Sequence, residues 1–398
     1  MQTWRPSSPR SCGDWEGRDV RGASVSERRR VTVALGERSY PIEIGAGTLR
    51  DAGGAIAERT GASRVVVVTE PAIGRRHGPA LLRGMKAAGL SVARIEVPRG
   101  ETHKSLRQAS RIYEALLRAG ADRSTAIVAL GGGKVGDLAG FVAATWLRGV
   151  PFVQVPTTLL AMVDSSIGGK VAVNLPQGKN LAGAFHQPRL VWIDARTLET
   201  LAARERAAGM AEIVKAAAIL DADFFARLER DAGRALALEM DALLPVIARA
   251  CAIKADVVAR DERETGLRML LNFGHTVGHA IEALQRYRGI LHGEAVAIGM
   301  VWAGRRSEEL GLAPGGTAAR LRDLLARCAL PAAPPVFERR AYLAALRVDK
   351  KRTDARIRYV VLRGIGKADT VPLTPEQILP AAAFREAVRP GRRGGGRE

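Results

Sequence analysis

Ala129-Leu130-Gly131-Gly132-Gly133-Lys134-Val135-Gly136-Asp137 is an apolar, strand-like run that breaks into glycines and resumes with a helical pattern. Gly131, Gly133 and Gly136 give G-x-G-x-x-G in the strand, turn, helix context where small residues let a backbone approach a pyrophosphate at a helix N-terminus. Alone, the pattern is weak, since a tight turn without a ligand can also produce it. An acidic residue normally follows about twenty positions later to hold the ribose, yet residues 153–157 contain none. A Rossmann-like sheet is expected, with another arrangement at the ribose.

Outward from this turn, residues 65–68, 126–130, 152–155 and 190–193 read as buried strands. Helical patterns at residues 73–88 and 105–119 intervene, the βαβ rhythm of a mostly parallel sheet covered on both faces. Later runs are long, Ala/Leu/Arg-rich and helix-periodic, with a single strand-like stretch at residues 357–362. The expected class is α/β, with a Rossmann-like, mostly parallel sheet domain over residues 31–201 and a mainly α-helical domain over residues 202–387. Residues 1–30 form a polar, basic extension and residues 388–398 a glycine-rich tail. Neither has apolar periodicity, so both are expected to be disordered.

The chain of 398 residues carries 61 Lys and Arg against 41 Asp and Glu, a net charge of +20. Nucleic acid is one partner that such a balance suits. Here the excess is scattered and Arg-rich, and 5% aromatic composition leaves no basic motif interleaved with stacking rings. Basic residues gathered around a small anionic ligand account for it better, and no nucleic-acid partner is expected. The most apolar segment, residues 125–146, is interrupted by Lys134 and Asp137, so no membrane span is expected. The basic N-terminus lacks an apolar h-region, and Cys12, Cys251 and Cys328 lie far apart without metal-ligand spacing. A cytoplasmic protein with reduced thiols follows.

In the helical half, Asn272-Phe273-Gly274-His275-Thr276-Val277-Gly278-His279 puts two histidines at i and i+4, on one helix face. They make a candidate zinc pair, with His292 in Leu291-His292-Gly293-Glu294 and Glu212 in Gly209-Met210-Ala211-Glu212 as further ligands. Surface and capping histidines would give the same spacing. Asp164-Ser165-Ser166-Ile167-Gly168-Gly169-Lys170 and Gly178-Lys179-Asn180 read as a polar, glycine-rich loop after Val155-Pro156-Thr157-Thr158. That is the C-terminal end of a strand, where open α/β sheets bind ligands. Lys215, Lys254, Arg268 and Lys350 add positive charge.

Residues 100–105, 131–150, 156–170, 178–188, 212–215, 266–279, 292–300 and 349–351, in this order, resemble the 3-dehydroquinate synthases, sugar-phosphate cyclases of the shikimate pathway. The resemblance runs from Val31 to Lys367 and implies a Rossmann-like domain, a helical domain and an active site in the cleft between them. It also implies roles. Gly100, Glu101, Lys104, Gly133, Gly136, Asp137, Thr157, Thr158, Thr197 and Thr200 match NAD contacts, while Lys170 and Lys179 lie where cofactor and substrate meet. Glu212, His275 and His292 match the ligands of one divalent metal, Zn2+ or Co2+, which makes His279 a substrate contact and proton-transfer residue. Arg148, Asp164, Asn180, Lys215, Lys254, Glu264, Arg268, Asn272 and Lys350, or its neighbour Lys351, match the substrate site.

The reaction so implied converts 3-deoxy-D-arabino-heptulosonate 7-phosphate to 3-dehydroquinate and phosphate. NAD oxidises and later reduces the same carbon, around phosphate elimination, before an intramolecular aldol closure. Guanidinium forks and lysines suit the phosphate and carboxylate of this small anionic substrate. A homodimer is compatible with the resemblance. Lys134 departs from the family, which usually has an apolar residue there, and Val171-Ala172 follow Lys170 where Thr and a small residue are common. The alternative is another cyclase, making an epi-valiolone or inosose product; Lys254, Arg268 and Asn272 together favour the carboxylate-bearing substrate.

Overall fold

Four consecutive valines cannot present one apolar and one polar face, so a strand that holds them needs cover on both sides. The computed structural model, which describes residues 28–286, 289–335, 337–348 and 356–382, provides that cover. Its first strands are β1 (Arg29–Val33), β2 (Tyr40–Gly45), β3 (Arg64–Thr69), β4 (Ser91–Glu96), β5 (Ala126–Gly131), β6 (Phe152–Pro156), β7 (Lys170–Leu175), β8 (Gly178–Phe185) and β9 (Leu190–Asp194). Seven of them join one sheet in the order β1-β2-β9-β6-β5-β3-β4. Only β1 runs antiparallel to its neighbour there.

Val65, Val67, Val128 and Leu130 turn toward α1 (Ala52–Thr60) and, beyond α2 (Pro71–Arg76), α3 (Gly78–Ala87). Val66, Val68, Ile127 and Ala129 pack instead under α4 (Leu106–Arg118) and α5 (Gly133–Thr145). The helical pattern over residues 73–88 is thus two helices. Pro79 at the start of α3 has no N–H, and its ring would collide with the carbonyl four residues earlier, so the chain breaks at His77.

At the other side of the sheet, Ile42, Ile44, Val191 and Ile193 share a core with α6 (Ala203–Leu220) and, after α7 (Ala222–Leu236), α8 (Met240–Arg260). The helical half continues through α9 (His275–Leu284), α10 (His292–Glu309), α11 (Thr317–Arg327), α12 (Arg339–Val348) and α13 (Pro375–Ile378). It also holds the hairpin of β10 (Ile357–Gly364) and β11 (Lys367–Leu373). The expectation of a single late strand misses β11, because Lys367, Asp369 and Thr370 interrupt its apolar character.

Two further expectations are corrected. The polar stretch after β6 is not a loop: β7 and β8 form an antiparallel hairpin, Lys170 opposite Phe185, whose Val171 and Val173 are buried against the core under α5. Alternate valines give the strand its apolar face despite the surrounding glycines and polar residues. Arg29 and Arg30, assigned to the disordered extension, belong to β1, where Arg30 Nε stands 2.5 Å from Glu43 Oε1. Residues 1–27 and the tail, residues 388–398, lie outside the described residues. No described helix is long and apolar enough to cross a membrane.

Candidate active site

After β3 the chain moves outward to β4 and then returns to the opposite side of β3 as β5. The crevice at the C-terminal ends of β3 and β5 is therefore a topological switch point, where such sheets bind ligands. The glycine turn lies there. Gly132 caps α5 without a side-chain hydrogen bond, so the first amides of the helix remain available to an anion. At Gly136 a Cβ would stand 2.6 Å from Gln154 Oε1, so this glycine permits close packing of helix on strand. Lys134 reaches across to the end of β3: its Nζ lies 2.5 Å from Glu70 Oε1 and donates to the Pro98 carbonyl at 2.6 Å. Glu70 follows β3, at the strand end beside the glycine turn. It precedes the turn in sequence, so a forward count of about twenty residues does not reach it.

Around this crevice, Lys104 Nζ donates to Asp137 Oδ2 and to Asn180 Oδ1, each at 2.5 Å. Burial pushes the Asp137 carboxyl up to about 6, against the opposing pull of Lys104. Gly100 takes a positive φ of 106°, and the adjoining Glu101 accepts from Asn174 Nδ2 at 2.8 Å. Thr157 donates its amide to the Gly131 carbonyl at 2.9 Å, while its buried Oγ1 has no partner among the described residues. Thr158 Oγ1 accepts from the Ala161 amide at 3.3 Å. Thr197 is tied to the Asp194 carbonyl at 2.8 Å, and Thr200 Oγ1 stands 3.0 Å from His77 Nε2.

The glycine turn leads directly to the polar centre. A Cβ on Gly133 would meet Ser165 Oγ at 2.8 Å, and the preceding residue, Asp164, pairs with Lys254, which also donates to the Asp164 carbonyl at 2.6 Å. Burial alone would raise the Asp164 pKa, but Lys254 and Lys215 outweigh it and hold the carboxyl well below the usual range. Lys215 in turn pairs with Glu212, both on α6 and both buried.

Among the described residues, Glu212 Oε1 has no hydrogen-bond partner although it is buried. His275 Nε2 faces it at 3.8 Å and His292 Nε2 at 3.9 Å. One carboxylate oxygen and two imidazole nitrogens, mutually within 4.8 Å, make a donor set that a divalent cation fits. Burial, aided by Lys215, holds His275 well below its ordinary pKa, which keeps a nitrogen lone pair free. His279 is exposed one turn along α9, its ring 5.4 Å from that of His275 and 6.1 Å from that of His292. His279, Glu282 and His292 form a second set with the same mutual distance.

Lys170 pairs with Glu264, whose other oxygen accepts from Asn272 Nδ2 at 2.8 Å. Arg268 is buried, and its guanidinium donates to the Glu262 carbonyl at 2.5 Å and to the Gly168 carbonyl at 3.2 and 3.3 Å. In this arrangement it therefore ties the chain before β7 to the turn after α8. Lys179 reaches Glu282 at 3.5 Å. Arg148 stands apart: it is exposed in the turn after α5, with φ 70°, and has no ion pair among the described residues. Lys350 and Lys351 lie outside the described residues.

Sequence reasoning missed Glu282 and Asp261. His275, His279 and Glu282 at i, i+4 and i+7 share a helix face, a signal that was legible. Asp261 left none, since it acts on backbone amides: it accepts from Thr265, Gly266 and Arg268 at 2.8, 2.7 and 2.9 Å.

Comparison with known proteins bears on this geometry. The family models described as 3-dehydroquinate synthase N-terminal and 3-dehydroquinate synthase C-terminal match residues 94–208 and 209–352. A 3-dehydroquinate synthase of Pelobacter propionicus is 50% identical over 349 residues, 88% of this chain and 97% of that protein. Among solved structures, 2-epi-5-epi-valiolone synthase from Streptomyces hygroscopicus with NAD+ and Zn2+ bound superposes with a TM-score of 0.80 at 30% identity, covering 89% of this chain and 98% of that one. A 2-deoxy-scyllo-inosose synthase complexed with carbaglucose-6-phosphate, NAD+ and Co2+ gives 0.79 at 28%, covering 90% and 100%.

Proposed function

This chain belongs to the 3-dehydroquinate synthase family, and from that premise we propose how its cleft acts on its substrate. The protein is a 3-dehydroquinate synthase, converting 3-deoxy-D-arabino-heptulosonate 7-phosphate to 3-dehydroquinate and phosphate in the shikimate pathway. The alternative cyclases are its relatives in fold at 28–30% identity, well below the 50% shared with a 3-dehydroquinate synthase. When bound, NAD supplies a hydride acceptor that later returns the hydride, and the divalent ion, Zn2+ or Co2+, supplies a Lewis acid.

The chain's own residues do the rest. The amides at the start of α5 hold the dinucleotide pyrophosphate, with Gly100, Glu101, Lys104, Asp137, Thr157, Thr158, Thr197 and Thr200 around it; Glu70 takes the ribose hydroxyls. Glu212, His275 and His292 hold the metal. Lys170, Lys179, Asn180, Lys215, Lys254, Arg268 and Asn272 receive the phosphate and carboxylate; Lys170 and Asn272 now engage Glu264, Lys254 Asp164, Lys215 Glu212, Lys179 Glu282 and Arg268 two backbone carbonyls, and substrate oxygens compete for these contacts. Such preformed pairs keep the cations oriented before the anion arrives. His279, exposed beside the metal ligands, moves protons at its imidazole nitrogens. Self-association to a homodimer would cover Leu117, Leu147, Leu181 and Phe185, which stay exposed in the layer of α4, α5 and β8, and Arg148 shares that layer.

The observation that carries this reading is the meeting of buried cations with a Glu212 oxygen that has no hydrogen-bond partner among the described residues and faces two imidazoles, a short step from a glycine turn at a switch point. Incubation with the heptulosonate phosphate, NAD and a divalent ion is expected to release one phosphate per cyclic product formed. Faster cyclisation of a sugar phosphate that lacks the carboxylate would sink the assignment. In the same assay His279→Ala should keep its metal and slow by ~10²–10⁴-fold, the usual share of a proton-transfer group, while His275→Ala should lose the metal.

A further inference from the structure

Glu282 lies on α9 seven residues after His275 and three after His279, on their face of the helix. It is 7% exposed, and both of its oxygens are engaged: Oε2 stands 3.2 Å from His292 Nδ1 and Oε1 3.5 Å from Lys179 Nζ. A carboxylate this buried is costly unless charged or donating partners hold it. One partner here comes from the next helix and the other from the β8 hairpin.

The consequence for His292 is geometric. With Nδ1 turned to Glu282, the ring has only Nε2 to offer, and that atom faces Glu212 Oε1 at 3.9 Å. His275 is arranged the same way, its Nδ1 3.2 Å from the Phe273 carbonyl and its Nε2 3.8 Å from the same Glu212 oxygen. The two imidazoles therefore converge because each has an acceptor behind it. Those acceptors differ in kind, a neutral carbonyl for His275 and a carboxylate for His292.

We propose that Glu282 is the positioning residue of the metal site: by accepting the Nδ1–H of His292 it fixes the tautomer whose Nε2 lone pair points at Glu212, and its charge makes that nitrogen the stronger donor. The inference rests on the reading of His292 as a metal ligand. The competing arrangement, in which Glu282 itself binds the ion with His279 and His292, would leave Glu212 Oε1 buried with no partner among the described residues, which natural structures avoid.

Glu282→Gln keeps the shape and an acceptor oxygen but removes the charge; Glu282→Leu removes both. Zn2+ affinity, measured by competition with a chromogenic chelator, should fall ~10-fold in the first and ~100-fold in the second, the range set by partners of this kind. Both should still take up one ion per chain at saturation. The visible absorption of Co2+-loaded Glu282→Leu should shift as the ring loses its fixed orientation, a change that a general loss of stability would not produce. NAD affinity should move by less than ~5-fold, because a partly exposed ion pair with Lys179 contributes little. Unchanged metal affinity in both variants, with His292→Ala metal-free, overturns the positioning role and leaves the metal site standing. Complete loss of stoichiometric metal from Glu282→Gln makes Glu282 a ligand and also overturns it. If His292→Ala keeps its ion, the metal-site reading falls and the inference falls with it.

Discussion

Asp261 shows how a single carboxylate can organise a site it does not enter. Burial alone would raise its pKa, but the amides of Thr265, Arg268 and Gly266 outweigh that and hold it at about 2. Those amides start the turn that carries Arg268 and Asn272, next to Glu264, so the carboxylate sets where two proposed substrate groups and the partner of Lys170 stand. A carboxylate depressed below its unfolded value of about 3.9 adds stability that is complete above that value and is lost as the pH falls through its folded value. Asp261→Asn should therefore be less stable than the parent near neutral pH by ~1–3 kcal/mol, the scale of charge-assisted hydrogen bonds. The gap should close as the pH drops from about 4 toward 2, which urea unfolding across that range can follow. A gap that stays constant into acid would mean that the charge is not what the amides need.

At the scale of elements, the metal ligands meet because two helices touch backbone to backbone. A Cβ on Gly293 would lie 1.9 Å from the Ala208 carbonyl of α6, and one on Gly299 2.0 Å from the Gly274 carbonyl before α9. His292 immediately precedes Gly293, and Glu212 lies one helical turn beyond Ala208. The close crossing is thus what brings an imidazole of α10 against a carboxylate of α6. Gly293→Ala must push the helices apart, since the obstacle is backbone and cannot rotate away. It should cost ~1–3 kcal/mol as an overpacked contact and weaken metal binding in parallel, read by thermal unfolding and by metal content of the purified variant. Full metal content at parental stability would show that α10 can slide without consequence.

At the scale of the molecule, the two halves expected from sequence share a core. Ile42, Ile44, Val191 and Ile193 of the sheet are packed with α6 and α8, and Arg38 forks onto Glu262 at 2.5 and 2.7 Å across the same junction. A fragment ending at Leu201 would expose those four aliphatic side chains to water, at about 1.5–3 kcal/mol for each one uncovered. Such a fragment is expected to aggregate or to show no cooperative transition, and the whole chain to unfold in one calorimetric step. A soluble fragment of residues 31–201 with its own sharp transition would establish two independent units.

Local sequence specified the sheet, because runs such as Val65-Val66-Val67-Val68 need burial on both faces and glycine-rich turns punctuate them. It also carried the chemistry in ordered motifs, from the glycine turn to the histidines of α9, since those residue types are needed wherever the chain goes. Tertiary structure decided the partners. Glu70 reaches the glycine turn only because β3 and β5 pair in the sheet, and Glu212 meets His292 only because Gly293 lets α10 rest on α6. It also gave Arg268 two carbonyls to hold and left Arg148 on an exposed turn. Periodicity reports which face of an element is apolar, whereas pairing and helix crossing depend on contacts between residues far apart in sequence, which no local pattern records.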